Sequence, residues 1–203
     1  MGRGGHAQRV SADDPALSTA VVRAQDGDEA AFVVLYRLVQ PGLLSYLRGI
    51  AGEDAEGIAA AAWREIACEL PRFRGDGHGF RGWAASIARR HALGHFRLHG
   101  AAPGSPGSPG TPPTVDNIAH TLPGATLSAE TAQALVARLP RAQAEAVLLR
   151  HAVRLDERAA AQVMGRPRPV VRMLARRGLR SLARLLRPDD LTHHVPRPLG
   201  EPR

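Results

Sequence analysis

Apolar residues recur at intervals of three and four along most of the chain, which is the spacing of a helix with one buried face. The clearest case lies between residues 168 and 187, where one face is apolar and the other basic. The apolar positions are Val171, Leu174, Ala175, Leu179, Leu182 and Leu186, and the basic ones are Arg172, Arg176, Arg180 and Arg184. No segment shows the alternation typical of a strand, so the pattern predicts an all-α protein.

The same spacing predicts a series of short helices. Asp28 and Asp54 are expected N-caps, whereas Pro41 and Pro71 are expected to interrupt or end helices. An apolar stripe of Ile58, Ala62, Ile66 and Leu70 and a cap at Ser128 complete this pattern. The predicted helices span 20–25, 28–38, 43–50, 54–70, 80–97, 129–139 and 141–153, followed by two helices around Gly165.

That final pair of helices has the spacing of a helix-turn-helix. Ala161 is a small residue for the helix crossing, Gly165 provides the turn, and Val171 anchors the second helix. Eight arginines and no acidic residue lie between residues 166 and 187, a composition that suits a DNA groove. An ordinary amphipathic helix with a solvated basic face is the alternative.

Charge and aromatic residues are distributed unevenly between two parts of the chain. The net charge is +8, with 12 arginines against 11 acidic residues in residues 1–97 and 13 against 4 in residues 128–187. All eight aromatic residues lie at or before Phe96. The contrast predicts two domains, and the basic second part favours a nucleic-acid partner.

The predicted domains span residues 17–97 and 128–187. Between them, residues 98–127 are rich in Gly, Pro and Ser, a composition typical of a flexible linker. Residues 1–16 and 188–203 are expected to be disordered tails.

Other features narrow the class of protein. Cys68 is the only cysteine, no apolar run approaches the roughly 20 residues of a membrane span, and no signal peptide is recognisable. His91 and His95 have a chelating spacing without a third ligand cluster, so we expect them to be solvated or to face DNA. No catalytic motif is present. We therefore expect a cytoplasmic protein that is no enzyme, has no cofactor or metal, and binds no membrane.

The order of several segments resembles the extracytoplasmic-function group of bacterial RNA polymerase sigma factors. The segments are FVVLYRLVQPGLLSYLRGIAG, DAEGIAAAAWREIACELPRFRGD, GFRGWAASIARRHALGHFR, the linker, LPRAQAEAVLLRHAVRLDERAAAQVMG and PVVRMLARRGLRSLARLL. The resemblance implies a sigma region 2-like bundle and a sigma region 4-like helix-turn-helix. Such a protein is a promoter-specificity subunit that binds the clamp and flap of core RNA polymerase and recognises minus-ten and minus-thirty-five elements. Its implied partners include duplex and melted promoter DNA, and an anti-sigma factor is a further candidate.

The resemblance implies roles for the glycine-rich loop 73–79 and the following helix. The loop matches the one that captures an extruded base, and base capture needs close backbone approach, polar groups and stacking planes. Arg74, Asp76 and His78 would supply polar groups, while Phe80 or Trp83 would stack on the base unless they belong to the core. Arg81, Arg89 and Arg90 would contact phosphates of the melted strand.

The resemblance also implies a polymerase-binding surface and a base-reading helix. Asp54, Glu56, Trp63 and Glu65 would face the polymerase, although Gly57 and Ala59 to Ala62 stand where the family usually has polar residues. For the minus-thirty-five element, Arg168, Arg172 and Arg176 are the candidates for base reading. The implied DNA contacts there are Arg166, Arg168, Arg172, Arg176 and Arg177.

Two other functions remain alternatives. A stand-alone helix-turn-helix regulator would bind duplex DNA tightly by itself, usually as a dimer. The long linker and the lack of a dimerisation helix disfavour this regulator. A degenerate sigma-like interaction protein would bind partners without supporting transcription, and the alanine run at 59–62 is what favours it.

Overall fold

The fold is all-α, as the apolar spacing predicts. A computed structural model describes residues 13–99 and 129–186, and within these two ranges it contains helices and no strand. Short 3-10 helices at Gly52–Asp54 and Leu70–Arg72 flank the third α-helix. The α-helices are α1 (Asp13–Gln25), α2 (Glu29–Ala51), α3 (Ala55–Glu69), α4 (Gly77–Leu98), α5 (Ala129–Ala137), α6 (Arg141–His151), α7 (Glu157–Met164) and α8 (Arg168–Leu185).

Helix α1 begins earlier than the sequence predicts. It starts at Asp13 rather than near Ala20, so residues 13–16 are helical and not part of a disordered tail. Acidic residues and a proline in the first turn suit a helix N-terminus, and Leu17 and Val21 are fully buried. The remaining predicted tails at 1–12 and 188–203, the cap at Ser128 and linker residues 100–127 lie outside the described residues.

Helix α2 continues through Pro41, which the sequence predicts to be a break. Asp28 caps it as expected, accepting a hydrogen bond from the Ala31 backbone N–H at 3.0 Å. A proline inside a helix costs about 3 kcal/mol. Burial of Leu35, Leu43 and Leu47 offsets this cost, because each fully buried leucine contributes roughly 1.5 to 3 kcal/mol.

One stretch is apolar enough to raise the question of a membrane. The segment Glu29–Arg72 passes a test of length and hydropathy for a membrane span, although the sequence analysis expects no such run. Within it, α2 ends at Ala51 and packs against α1, α3, α4 and α6. We therefore interpret α2 as a helix of the bundle, with the face that carries Leu35, Val39 and Leu43 buried against its neighbours.

The remaining predictions of the helix pattern hold with shifted ends. The stripe Ile58, Ala62 and Ile66 is buried on α3 and continues into Leu70 of the following 3-10 helix, but Asp54 makes no side-chain capping bond at the start of α3. Helix α4 begins at Gly77 instead of Phe80 because Asp76 accepts a hydrogen bond from the Gly79 backbone N–H at 2.7 Å. The glycine-rich loop is thus limited to residues 73–76.

The helix-turn-helix is formed by α7 and α8. Gly165 has φ of 61° and ψ of 36°, the left-handed conformation that ends α7 and favours glycine. Ala161 and Val171 are buried at the crossing, as predicted. Leu179 and Leu186 are instead 42% and 46% exposed, because Val171, Ala175 and Gly178 form the face that packs inward.

The two parts of the chain pack against each other. Helices α1–α4 (the N-terminal unit) and α5–α8 (the C-terminal unit) contribute buried residues to a single hydrophobic cluster. The contacts between the units are mainly those of α2 with α6 and of α4 with α7. This packing places the start of α4 next to the start of α7, where the predicted DNA-binding loop lies.

Candidate nucleic-acid interface

The helix-turn-helix presents a continuous basic surface. Its geometry is fixed at three points: Asp156 caps α7 through the Ala159 N–H at 2.7 Å, Gly165 forms the turn, and Pro167 precedes α8. These three residues leave the side chains of the turn and of the outer face of α8 in solvent. The exposed arginines include all five implied minus-thirty-five contacts, Arg166, Arg168, Arg172, Arg176 and Arg177.

Arg172 is the best oriented of these arginines. Its Nε and Nη2 donate to the two carboxylate oxygens of Glu157 at 2.9 and 2.8 Å, which is a bidentate pair. This hydrogen bond lowers the pKa of Glu157 and raises that of Arg172. Arg168 is farther away, with its Nε 3.9 Å from the same carboxylate. Glu157 therefore holds Arg172 in place and lies close to any base that Arg172 would contact.

The loop at residues 73–76 is built around an aromatic cluster. Phe73 contacts Phe80 edge-on at 5.6 Å and Trp83 at 4.9 Å between ring centroids. Gly75 lies against Phe73, and a Cβ added to it would be 2.8 Å from the ring. Arg74 is exposed and donates to the backbone oxygens of Pro71 and Phe73, at 3.1 and 3.0 Å. The loop is therefore held to the bundle through Phe73 and offers Arg74 and its backbone to solvent.

Burial corrects two of the predicted minus-ten contacts. Phe80 is fully buried, so its ring belongs to the core and cannot stack on a base in this conformation. Arg81 is 4% exposed and donates from Nη1 to the Leu38 backbone oxygen at 3.2 Å, which directs it inward and away from a phosphate. The sequence did not reveal this, because α4 is covered on more than one side. Trp83 is half-buried and remains the accessible aromatic residue of the cluster.

The other predicted minus-ten residues lie at both ends of a long stretch of α4, and each already has a hydrogen-bond or ion-pair partner within the protein. Asp76 caps α4. His78 Nε2 lies 3.4 Å from Asp156 Oδ2 of the C-terminal unit. Arg89 donates to Glu145 at 2.6 Å, while Arg90 pairs with Glu65.

A groove of about 410 Å³ separates α4 from α7, with Trp83 and Gly82 on one wall and Ala159 on the other.

Sequence reasoning missed a buried polar network that joins the two units. The Tyr46 hydroxyl donates to Glu145 Oε1 at 3.1 Å, and Arg89 Nε donates to the same oxygen. Burial, together with the Glu145 carboxylate, raises the pKa of Tyr46 well above its usual value. Burial disfavours the charged form of Arg89, but the hydrogen bond and charge of Glu145, together with the interaction with Tyr46, outweigh it and raise the pKa of Arg89. The sequence signal for this network was Glu145, an acidic residue within the apolar run of α6.

The predicted polymerase-binding acids on and before α3 are all paired with bases of the same chain. Asp54 Oδ2 is 3.0 Å from His95 Nε2, and Glu56 Oε1 is 2.6 Å from Arg48 Nη2. Glu65 pairs with Arg90 and lies 2.7 Å from His91 Nε2. The two histidines thus face acids of the N-terminal unit instead of DNA or bulk solvent, which corrects our expectation. Within residues 13–99 and 129–186, no three His, Cys, Asp or Glu side chains are grouped to hold a metal.

Trp63 also differs from the prediction. It is 7% exposed, and its indole N–H donates to Gln40 Oε1 at 2.5 Å. Its ring lies 4.8 Å from that of Tyr36, which is 39% exposed. Trp63 therefore packs between helices α2 and α3, and Tyr36 is the aromatic residue that reaches the surface there.

Comparison with known proteins gives one informative result. No protein-family model matches the chain, and no curated protein matches it in sequence. Solved structures do match, and among them is CnrH from the complex of CnrH with the cytosolic domain of CnrY. The match has a TM-score of 0.54 and 18% identity, and it covers 84% of this chain and 97% of the other. At this identity the similarity establishes a shared fold across both units of the chain.

Proposed function

We propose that the chain is a promoter-specificity (sigma) subunit of the extracytoplasmic-function type, acting with core RNA polymerase in the cytoplasm and having no enzymatic activity of its own. The observation that carries the proposal is the shared fold with CnrH, which is a sigma factor of this group. The match extends over almost all of that chain, so it includes both helical units. A helix-turn-helix regulator would account for α7 and α8 but not for the N-terminal unit.

We assign the two promoter elements to different exposed surfaces of the chain. Helix α8 would enter the major groove of the minus-thirty-five element with Arg168, Arg172 and Arg176 toward the bases, since arginine can contact guanine bidentately. The loop at 73–76 and the outer side of α4 would hold the melted minus-ten strand, with Trp83 as the stacking residue. Phosphate contacts of this kind add affinity without sequence choice.

The polymerase would bind across α3. Glu56 is the most accessible of the predicted acids, with a side chain that is 59% exposed even though Arg48 pairs with it. Its pKa is lowered by the Arg48 hydrogen bond, so it is ionised at neutral pH. An exposed carboxylate of this kind can exchange its internal partner for a basic group of the polymerase at little cost.

Core-polymerase binding by the full chain is the direct test. We expect the tagged protein to retain core polymerase on an affinity column, and we expect Glu56→Arg to weaken retention by reversing the charge at the proposed contact. Asp26→Arg is the matched control, because Asp26 is also an exposed acid but lies in the turn between α1 and α2. Retention that responds equally to both substitutions, or to neither, would contradict this assignment of the surface.

A degenerate sigma-like interaction protein remains the second candidate. It is favoured by the internal pairing of Asp54, Glu56 and Glu65 and by the small residues Gly57 and Ala59 to Ala62 beside them. Such a protein would bind partners without directing transcription. We also propose an anti-sigma factor as a partner, since CnrH is found bound to a protein domain.

A further inference from the structure

We infer that Glu157 is a specificity-determining residue, which holds Arg172 toward a guanine edge and prevents it from pairing with the DNA phosphates. The inference rests on the proposed function, because it concerns how α8 would read duplex DNA. Glu157 is the single acidic residue between residues 157 and 187, which include nine arginines. An acid on a surface that binds a polyanion weakens binding to every sequence. Any benefit of Glu157 to DNA binding must therefore come from the choice of sequence.

Glu157 lies at the start of α7 and faces α8. It is the first residue of α7, directly after the cap Asp156, and its side chain is 20% exposed. Arg172 pairs with it from α8, and Arg168 Nε lies 3.9 Å from the same carboxylate. The hydrogen bond from Arg172, together with the charges of Arg168 and Arg150, lowers the pKa of Glu157, so its carboxylate is ionised at neutral pH.

The pair leaves one edge of Arg172 for DNA. Its Nε and Nη2 donate to the two carboxylate oxygens at 2.9 and 2.8 Å. Nη1 takes no part in this pairing, and Nη2 carries a second hydrogen. The edge formed by Nη1 and Nη2 can contact guanine O6 and N7 bidentately. The Arg172 side chain is 50% exposed even though Glu157 pairs with it, so a base can approach it without displacing Glu157.

The same pair disfavours a phosphate contact. Arg172 and Glu157 together carry no net charge, and a phosphate that approached the guanidinium would also approach the carboxylate. Like charges in close contact are disfavoured, whereas guanine O6 and N7 are neutral acceptors. A neutral pair also displaces few counterions, so it adds little to sequence-independent affinity. Glu157 therefore favours a base over the backbone as the partner of Arg172.

A purely structural role for Glu157 is the alternative. The pair joins α7 to α8 and would then serve only to stabilise their crossing. However, the buried Ala161 and Val171 already form that crossing, and exposed ion pairs contribute little to stability. Loss of a structural tie would weaken binding to all sequences alike. Loss of a specificity-determining residue would instead strengthen binding to random DNA and weaken the preference for guanine, so the two roles are distinguishable.

Glu157→Gln in the full-length protein separates these roles. Glutamine preserves the size of the side chain but has one acceptor oxygen and no charge, so it cannot hold Arg172 in the same way. Glu29→Gln is the matched control. Glu29 is likewise the first residue of a helix, directly after the capping Asp28, but it lies on α2. The two variants therefore change the net charge and the start of a helix alike.

The measurement is a binding selection from a library of random duplexes at two salt concentrations, with core polymerase and in parallel without it. We expect Glu157→Gln to bind random duplex more tightly, with a salt dependence steeper by one phosphate contact, or about 0.9 in the slope of log K against log salt. Its preference for guanine at one position should fall at least about fivefold, the lower end for a bidentate contact. Glu29→Gln should retain the wild-type slope and preference.

An unchanged guanine preference in Glu157→Gln would overturn the inference, whatever the change in affinity. So would a further change of preference when Glu157→Gln is added to Arg172→Ala, since the effect must act through Arg172. A wild-type protein that selects no sequence in either arm overturns this inference together with base reading by α8. Retention of core polymerase is measured independently, so that outcome is distinguishable from failure of the sigma proposal.

Discussion

At the scale of single residues, our proposal for how a promoter sequence would be recognised depends mainly on Arg172. It follows the buried anchor Val171 directly, so its backbone is fixed by the core. Glu157 fixes its guanidinium through two hydrogen bonds. Because this pair uses the Nε and Nη2 donors, a bidentate contact with guanine would use the Nη1–Nη2 edge or replace Glu157. Arg184, three turns along α8 and exposed, has neither restraint among the hydrogen bonds and ion pairs described above.

Replacing these two arginines separates base reading from phosphate contact. Arg172→Ala should cost roughly 1 to 3 kcal/mol of discrimination on the preferred minus-thirty-five sequence and relax the choice of base there. Arg184→Ala should weaken binding to all sequences equally or leave it unchanged, and it should lower the salt dependence by at most about one phosphate contact. A promoter-library binding selection at two salt concentrations measures both effects. A preserved preference in Arg172→Ala with a changed one in Arg184→Ala would show that the helix register is wrong.

The exposure of the predicted site residues followed from the sequence only where the apolar pattern determines it, and their roles stay predictions. Arg172, Arg176 and Arg177 are exposed because the buried stripe of α8 leaves them off its inward face, and Arg166 and Arg168 are exposed at the turn and the first position of α8. Phe80, Arg81 and Trp63 are buried instead, because α3 and α4 are covered by several neighbours and a periodic stripe does not reveal how many. Glu145 could not be assigned its partners, since Tyr46 and Arg89 are distant in sequence.

At the scale of elements, close helix crossings depend on glycine. Gly178 of α8 lies against α6, and a Cβ there would be 2.7 Å from Val147 Cγ2 and 3.2 Å from the Gln143 backbone oxygen. The sequence analysis placed Leu179 on the buried face instead, although Gly178 makes the contact. A glycine inside a regular helix was therefore the signal for the crossing point.

An alanine at Gly178 should destabilise the protein relative to the same change at Gly94. Both glycines are helical, so both variants gain the same helix propensity. Only Gly178→Ala overpacks the crossing, since a Cβ at Gly94 meets nothing within 4 Å. Overpacking typically costs about 1 to 3 kcal/mol, and this is the expected difference in free energy of unfolding between the variants. Urea denaturation of both full-length variants measures it. Equal midpoints and slopes would show that α6 and α8 are packed less closely than described.

The helix boundaries show where element-level prediction fails. The caps at Asp28, Asp76 and Asp156 and the turn at Gly165 follow from local chemistry. Pro41 was predicted to break α2, but the buried leucines on both sides stabilise a continuous helix. Tertiary packing overrides local propensity in such cases, and the sequence alone does not supply the packing partners.

At the scale of the whole molecule, the all-α fold was predictable and the arrangement of its parts was not. Helical periodicity runs through both units, whereas their contact depends on side chains about a hundred positions apart, such as Tyr46 and Glu145. The division into domains at 17–97 and 128–187 stays a prediction. The similarity to CnrH extends over both units and supports our proposal that they share one function.

Run-off transcription tests that joint function most directly. Core RNA polymerase would be assayed with and without the full-length protein on a library of promoter fragments. The account predicts transcripts that depend on the protein, start at defined positions and share a pair of upstream elements. The contradicting result is no transcript above that of core polymerase alone from any fragment, while the same polymerase is active with another sigma factor.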